Sequence, residues 1–245
     1  MLAPRRAGLA VALLVAIVAA AAWSPARAIV DGAVARLSHR VGEPERLWPH
    51  PGVAPRHAAG ARIAVAGDVG TGDEADGQGD RQLARLGAPG RFYARRVGPA
   101  LIVALDSTRA DDPAQLRWLR RTLDGSSARW KIGALHHPPY SAGVHGSDGA
   151  VRRHLVPALR RGGVRLVLAG HDHDYQRSRP IDGVTYVVSG GAAKLRPTGR
   201  ADFTAYAAST RHFVDLQISR DRLRLLAVAQ DGRVFDAATL RRARG

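Results

Sequence analysis

Residues 167–178 read VLAGHDHDYQRS: an aliphatic run stops at Gly170 and two histidines follow, His171 and His173, with Asp172 between them. Imidazole is both a nitrogen ligand for transition metals and a proton carrier near neutral pH. Two of them two residues apart in an extended segment project to the same side. Two other apolar runs stop in the same way: AVAG delivers Asp68, and IGAL delivers the pair His136 and His137. Imidazoles and a carboxylate meeting in space are the N/O donor set that holds zinc, iron or manganese. One histidine after a strand is an ordinary surface residue, and agreement among three strand ends is what points to a common site. The chain has no cysteine, so a thiolate metal site and a cysteine nucleophile are excluded and export cannot be read from disulfides. Serine-type hydrolysis through Ser141 or Ser189 lacks the GxSxG elbow that would expose the nucleophile.

Such ends need a scaffold that sets separate strands side by side. RIAVAGD (62–68) and ALIVALDS (100–107) are short apolar runs ending in polar residues, QLRWLRRTL (115–123) has helical spacing, and WKIGALHH (130–137) is strand-like. DGAVRRHLVPALRRGG (148–163) opens on an aspartate cap and closes on glycine, as a helix does. VRLVLAG (164–170) and GVTYVVSGG (183–191) are buried strands, and HFVDLQIS, RLRLLAVAQ and RVFDAATL, separated by RD and DG, form an antiparallel meander. Alternating strands and helices followed by strands alone predict an α/β layered domain, and in open α/β sheets sites form at the carboxyl edge where these side chains cluster.

Taken in order, GDVG (67–70), HHPPYSAGVHGS (136–147) and GHDHDYQRS (170–178), with VTYVVSGGAAKLR after them, resemble the calcineurin-like metallophosphoesterases on the purple acid phosphatase side of that family. The resemblance spans about residues 61–196. It implies a sandwich of two sheets flanked by helices, with two metal ions clamping a phosphoester and activating a water. Carried over by position, it makes Asp68 and His173 ligands of one metal and His136 and His171 ligands of the other. It gives His145 the role of contacting substrate phosphate and protonating the leaving oxygen. His137 then reads as a structural neighbour of a ligand, Tyr175 as packing behind the turn, and Asp172 as pointing away into solvent.

The departures from the pattern bear equally on function. The family carries a GDxxY segment, with the carboxylate that bridges both metals, and a GNH segment with an asparagine ligand; both are absent here. Residues 69–91 are polar and glycine-rich where two strand-helix units are expected, so the domain reads as truncated by an internal deletion. Asp73, Asp76 and Asp80 lie in that stretch and read as solvated loop acids. Without a bridging carboxylate two dications repel strongly, which favours one ion, iron, zinc or manganese, over two. The reading is therefore a metal-dependent phosphoester hydrolase impaired by missing ligands, and the alternative is an inactive metal- or anion-binding relic of the same fold.

Arg5 and Arg6 precede the apolar run GLAVALLVAIVAAAA (8–22), and Ala26 and Ala28 give a small-x-small cleavage pattern. At 15 residues the run suits a signal peptide and is shorter than the ~18 of a spanning helix. Residues 1–28 are thus expected to be a signal peptide, with secretion or periplasmic export to follow; uncleaved, the segment would anchor the chain to a membrane. Residues 29–60 read as a Pro/Gly-rich linker and 61–245 as the phosphoesterase domain. The formal charge of +16 comes almost wholly from arginine, since Lys131 and Lys194 are the two lysines among 37 basic residues. No basic run is interleaved with aromatics, so a sequence-specific nucleic-acid partner is not expected.

Overall fold

The computed structural model describes residues 14–15, 61–68, 88–192 and 194–241. The linker 29–60, Asp73, Asp76, Asp80 and nearly all of the signal segment lie outside the described residues.

Twelve described strands form two sheets. The first has the order β1-β2-β10-β11-β12, with β1 Leu14–Val15, β2 Ala61–Ala66, β10 His212–Ile218, β11 Arg222–Ala229 and β12 Val234–Arg241. The second has the order β3-β4-β5-β6-β8-β7-β9, with β3 Tyr93–Val97, β4 Ala100–Ala104, β5 Trp130–Ala134, β6 Leu166–Ala169, β7 Tyr175–Ser178, β8 Thr185–Ser189 and β9 Thr204–Ala208. β4, β5, β6 and β8 run parallel, and β10, β11 and β12 make the expected antiparallel meander. Leu14 and Val15, inside the apolar N-terminal run, pair parallel to β2 opposite Val65 and Ala66.

The period-two alternation of a strand divides the core into two layers. Ile102, Ile132, Leu166 and Leu168 face Ile63, Val65, Val214, Leu216 and Leu225 of the other sheet. Their neighbours Val103, Leu105, Leu135, Val167 and Ala169 face the helices α1 (Pro113–Asp124) and α2 (Gly149–Arg161) through Leu119, Leu123, Leu155 and Leu159. Both helices begin at an aspartate cap; the sequence predicts that of Asp148, and the first helix starts two residues before the helical run read at 115–123. Asp112 accepts hydrogen bonds from the Ala114 and Gln115 amides, and Asp148 from that of Val151. Among the described residues no helix is long and apolar enough to cross a membrane.

Three strands of the second sheet are not legible as such in the sequence. β3 is an exposed, arginine-bearing edge. β7 buries polar side chains: the Tyr175 hydroxyl donates to Asp236 at 2.6 Å, and Arg177 holds the same carboxylate with two bonds. Tyr175 therefore packs and hydrogen-bonds behind the histidine turn, as expected. β9, TAYAA, has no apolar alternation to read.

Candidate metal centre

β5 and β6 are parallel neighbours, so the residues that follow them are adjacent. The Leu135 amide donates to the Leu168 carbonyl at 3.0 Å and the Gly170 amide to the His136 carbonyl at 3.0 Å, which locks the two tips together. Asp68 arrives from the other sheet, at the end of β2. Its Oδ2 accepts the His171 amide hydrogen at 2.9 Å, so one carboxylate ties the tips of both sheets. This close approach requires small neighbours: a Cβ on Gly170 would lie 2.6 Å from Asp68 Oδ2, and one on Gly190 2.5 Å from it. Asp68 (φ 59°) and His171 (φ 71°) both adopt the left-handed region. Aspartate and histidine tolerate it better than most side chains, and such residues gather at functional sites.

Four imidazoles pack here ring against ring. Centroid separations are 4.8 Å for His136 and His137, 4.9 Å for His136 and His171, 4.5 Å for His137 and His171, and 4.4 Å for His145 and His171. His136 Nε2 lies 3.1 Å from His171 Nδ1, and His136 Nδ1 lies 3.5 Å from Asp68 Oδ1. Burial first, and then the neighbouring imidazoles, push His136 down to about 2 and His171 down to about 4. Both rings are accordingly neutral at pH 7, the state in which imidazole ligates a metal. His136 Nδ1 is buried without a hydrogen-bond partner. Buried polar atoms are almost always paired, so this orphan, beside a carboxylate and other neutral imidazoles, fits a cation. The ligating atoms of His136, His137 and His171 all lie within 4.8 Å of one another.

Asp68, His136 and His171 are thus brought together as expected, and His173 stands outside the close three-histidine group. Its Nδ1 bonds the Lys194 carbonyl at 2.7 Å, which leaves Nε2 as its second nitrogen. The HDH segment is a bend rather than an extended strand, so the extended geometry that would project both rings to one side does not apply. Asp172 is likewise not solvated: it is 1 % exposed, accepts the Ser141 hydroxyl and takes the His145 amide hydrogen at 2.8 Å. Both departures have one cause. The positive φ at His171 turns the chain, which sends Asp172 inward to the 141–147 loop. His137, read from the sequence as a neighbour of a ligand, lies inside the histidine group, held through Ser107. Ser189 and His212 do meet, at 3.1 Å, but both are buried, and the other His212 nitrogen bonds the Thr210 carbonyl rather than a carboxylate.

A two-sheet sandwich with histidines at adjacent strand tips and an aspartate crossing from the opposite sheet defines a metallophosphoesterase-like α/β sandwich. The comparisons agree with that class. Residues 88–175 match the family model described as calcineurin-like phosphoesterase. The chain is 35% identical over 86 residues to human tartrate-resistant acid phosphatase type 5, covering 35% of this chain and 26% of that protein. It is 39% identical over 82 residues to purple acid phosphatase 17 of Arabidopsis thaliana, covering 33% of this chain and 24% of that one. Among solved structures, a purple acid phosphatase from yellow lupin (Lupinus luteus) seeds superposes with a TM-score of 0.58 at 20% identity, over 61% of this chain and 32% of that chain. The chain therefore resembles the purple acid phosphatase-like metallophosphoesterases in both sequence and fold. It spans about a quarter of the length of these curated relatives.

Proposed function

We propose that this chain is an exported, metal-dependent phosphoester hydrolase, with Asp68, His136, His171 and His173 holding the metal and His145 acting on the substrate. The observation that carries this reading is the meeting of Asp68 with His136 and His171 across the two sheets, with His136 Nδ1 buried and without a hydrogen-bond partner. A bound zinc, iron or manganese ion supplies Lewis acidity toward a phosphoryl oxygen and lowers the pKa of water. The chain's own residues bind and orient. Asp68 offsets part of the positive charge and anchors the His171 main chain. The His173 Nδ1–H donates to the Lys194 carbonyl, which fixes the tautomer that leaves Nε2 as a ligand. His145 is proposed to hold the proton that the leaving oxygen needs, a role supported by its ring packing against His171 and by its amide's anchorage to Asp172.

A second reading, an inactive metal- or anion-binding relic, is supported by the absence of the GDxxY and GNH segments from the sequence. Export is supported by the apolar run and its Ala-x-Ala pattern, with residues 29–60 as linker and 61–245 as the domain. Uncleaved, the run anchors the chain to a membrane. Phosphoesters are the substrate class, and no sequence-specific nucleic-acid partner is proposed.

The test uses the full chain reconstituted separately with zinc, manganese and iron and assayed on an aryl phosphate. His171→Ala and His173→Ala should each abolish bound metal and turnover, a loss beyond the 10–100-fold typical of changes behind the ligands. His145→Ala should keep the metal and lose turnover. Metal bound without turnover in the intact chain favours the relic, and no bound metal removes the enzyme reading and leaves the relic.

A further inference from the structure

We propose that His137 is itself a metal ligand, completing a three-histidine set with His136 and His171 alongside Asp68. The inference rests on the metal-dependent reading of the same site. Three observations carry it. First, the ligating atoms of His136, His137 and His171 already lie within 4.8 Å of one another. Nitrogens sharing a tetrahedral ion at ~2.0–2.1 Å stand roughly 3.4 Å apart, so closing the set requires ring movements of about an ångström.

Second, His137 is oriented for this. The Ser107 hydroxyl oxygen accepts the His137 amide hydrogen at 3.0 Å and lies 2.9 Å from His137 Nδ1. With Nδ1 engaged, Nε2 is the nitrogen available to the cluster. A hydroxyl can donate to a bare Nδ1 or accept from Nδ1–H, so Ser107 can serve the tautomer that frees the Nε2 lone pair. Ser107 is itself fixed at 5 % exposure, one residue after Asp106, whose backbone is bonded on both sides to the Gln115 amide. A partner on the far nitrogen is how proteins orient ligating histidines.

Third, the histidine group leaves one nitrogen without a partner. His136 Nε2 meets His171 Nδ1 at 3.1 Å, but His136 Nδ1, 3.5 Å from Asp68 Oδ1, is buried with no hydrogen-bond partner, and the His136 ring packs against those of both His137 and His171. A shared cation satisfies several lone pairs at once. His137 would thereby supply a protein ligand where the sequence lacks the motifs that carry ligands in the resembling family.

The test is cobalt(II) binding to the chelator-stripped full chain, read by visible absorption and by competition with a chelator. His137→Ala should weaken cobalt by more than ~100-fold and change the ligand-field spectrum. Ser107→Ala should weaken it ~10–100-fold with the spectrum retained. His137→Gln fills the volume and guards against a folding defect, and should match His137→Ala. Histidine counting by X-ray absorption on the unmutated zinc form should match a set that includes His137 and lose one imidazole in His137→Gln. If both His137 variants bind cobalt with unchanged affinity and spectrum while His171→Ala loses it, the site stands and the role of His137 is overturned. If the unmutated chain holds no cobalt, the metal reading itself fails and the inference falls with it.

Discussion

Asp172→Asn, a change usually regarded as mild, should be severely destabilising here, because every hydrogen around this carboxylate is already assigned. The Ser141 hydroxyl oxygen accepts from the Gly143 amide at 3.0 Å and from Gln176 Nε2 at 2.8 Å, so both lone pairs are filled and its one hydrogen goes to Asp172 Oδ2. Gln176 cannot turn over to help, because its Oε1 accepts the Ala142 amide at 2.7 Å. The other Asp172 oxygen takes the His145 amide. An asparagine places its NH2 against either the Ser141 oxygen or the His145 N–H, and each orientation sets donor against donor. The loss is one charge-assisted hydrogen bond, ~1.5–3 kcal/mol, plus a buried donor left unpaired, ~1–3 kcal/mol. About 2.5–6 kcal/mol in total lowers Tm by roughly 5–24 °C in a domain of this size. Urea denaturation and thermal melting of the apo-protein measure it. In a double-mutant cycle, Ser141→Ala should cost less in the Asp172→Asn background than in the unmutated chain, since it removes the opposed oxygen. An Asp172→Asn protein within about 0.5 kcal/mol of the parent, the range of ordinary surface changes, would refute the reasoning.

Gly170→Ala drives a methyl to 2.6 Å from Asp68 Oδ2 and should reduce metal retention by at least tenfold in equilibrium dialysis, whereas an unchanged affinity would show that Asp68 does not depend on this approach. Tyr175→Phe removes one donor from Asp236 and should cost about 1.5–3 kcal/mol in urea denaturation. Burial raises the Asp236 carboxyl, but the Arg177 and Tyr175 hydrogen bonds more than offset this and hold it below its ordinary 3.8. Its contribution is therefore full above pH ~4 and lost as pH falls through the lower folded value, and Tyr175→Phe should move the acid-unfolding midpoint upward. Export should remove residues 1–28, which intact-mass analysis of exported protein detects, and a chain beginning at Met1 or Leu2 would rule cleavage out. Cleavage would also remove β1 and leave β2 as a sheet edge.

The parallel strands and both helices are legible because their apolar periods, and for the second helix its aspartate cap, are local signals. Asp68, His136 and His171 are legible because a polar residue directly after an apolar run sits at a strand's carboxyl end. β7 is not, because its stability comes from Asp236 on β12, 61 positions beyond Tyr175, which no local pattern encodes. The bend at 171–174 and the burial of Asp172 go with a left-handed φ at His171, which a histidine in sequence does not announce. The place of His137 follows from Ser107, 30 positions earlier, the residue in which ALIVALDS ends.

The most direct test of the account is the metal content of the full chain, refolded with zinc, manganese and iron in turn, dialysed, and measured by elemental analysis beside a His171→Ala, His173→Ala double variant. The account predicts at least one ion per unmutated chain with one of these metals and none in the double variant. Equal metal in both proteins would contradict it.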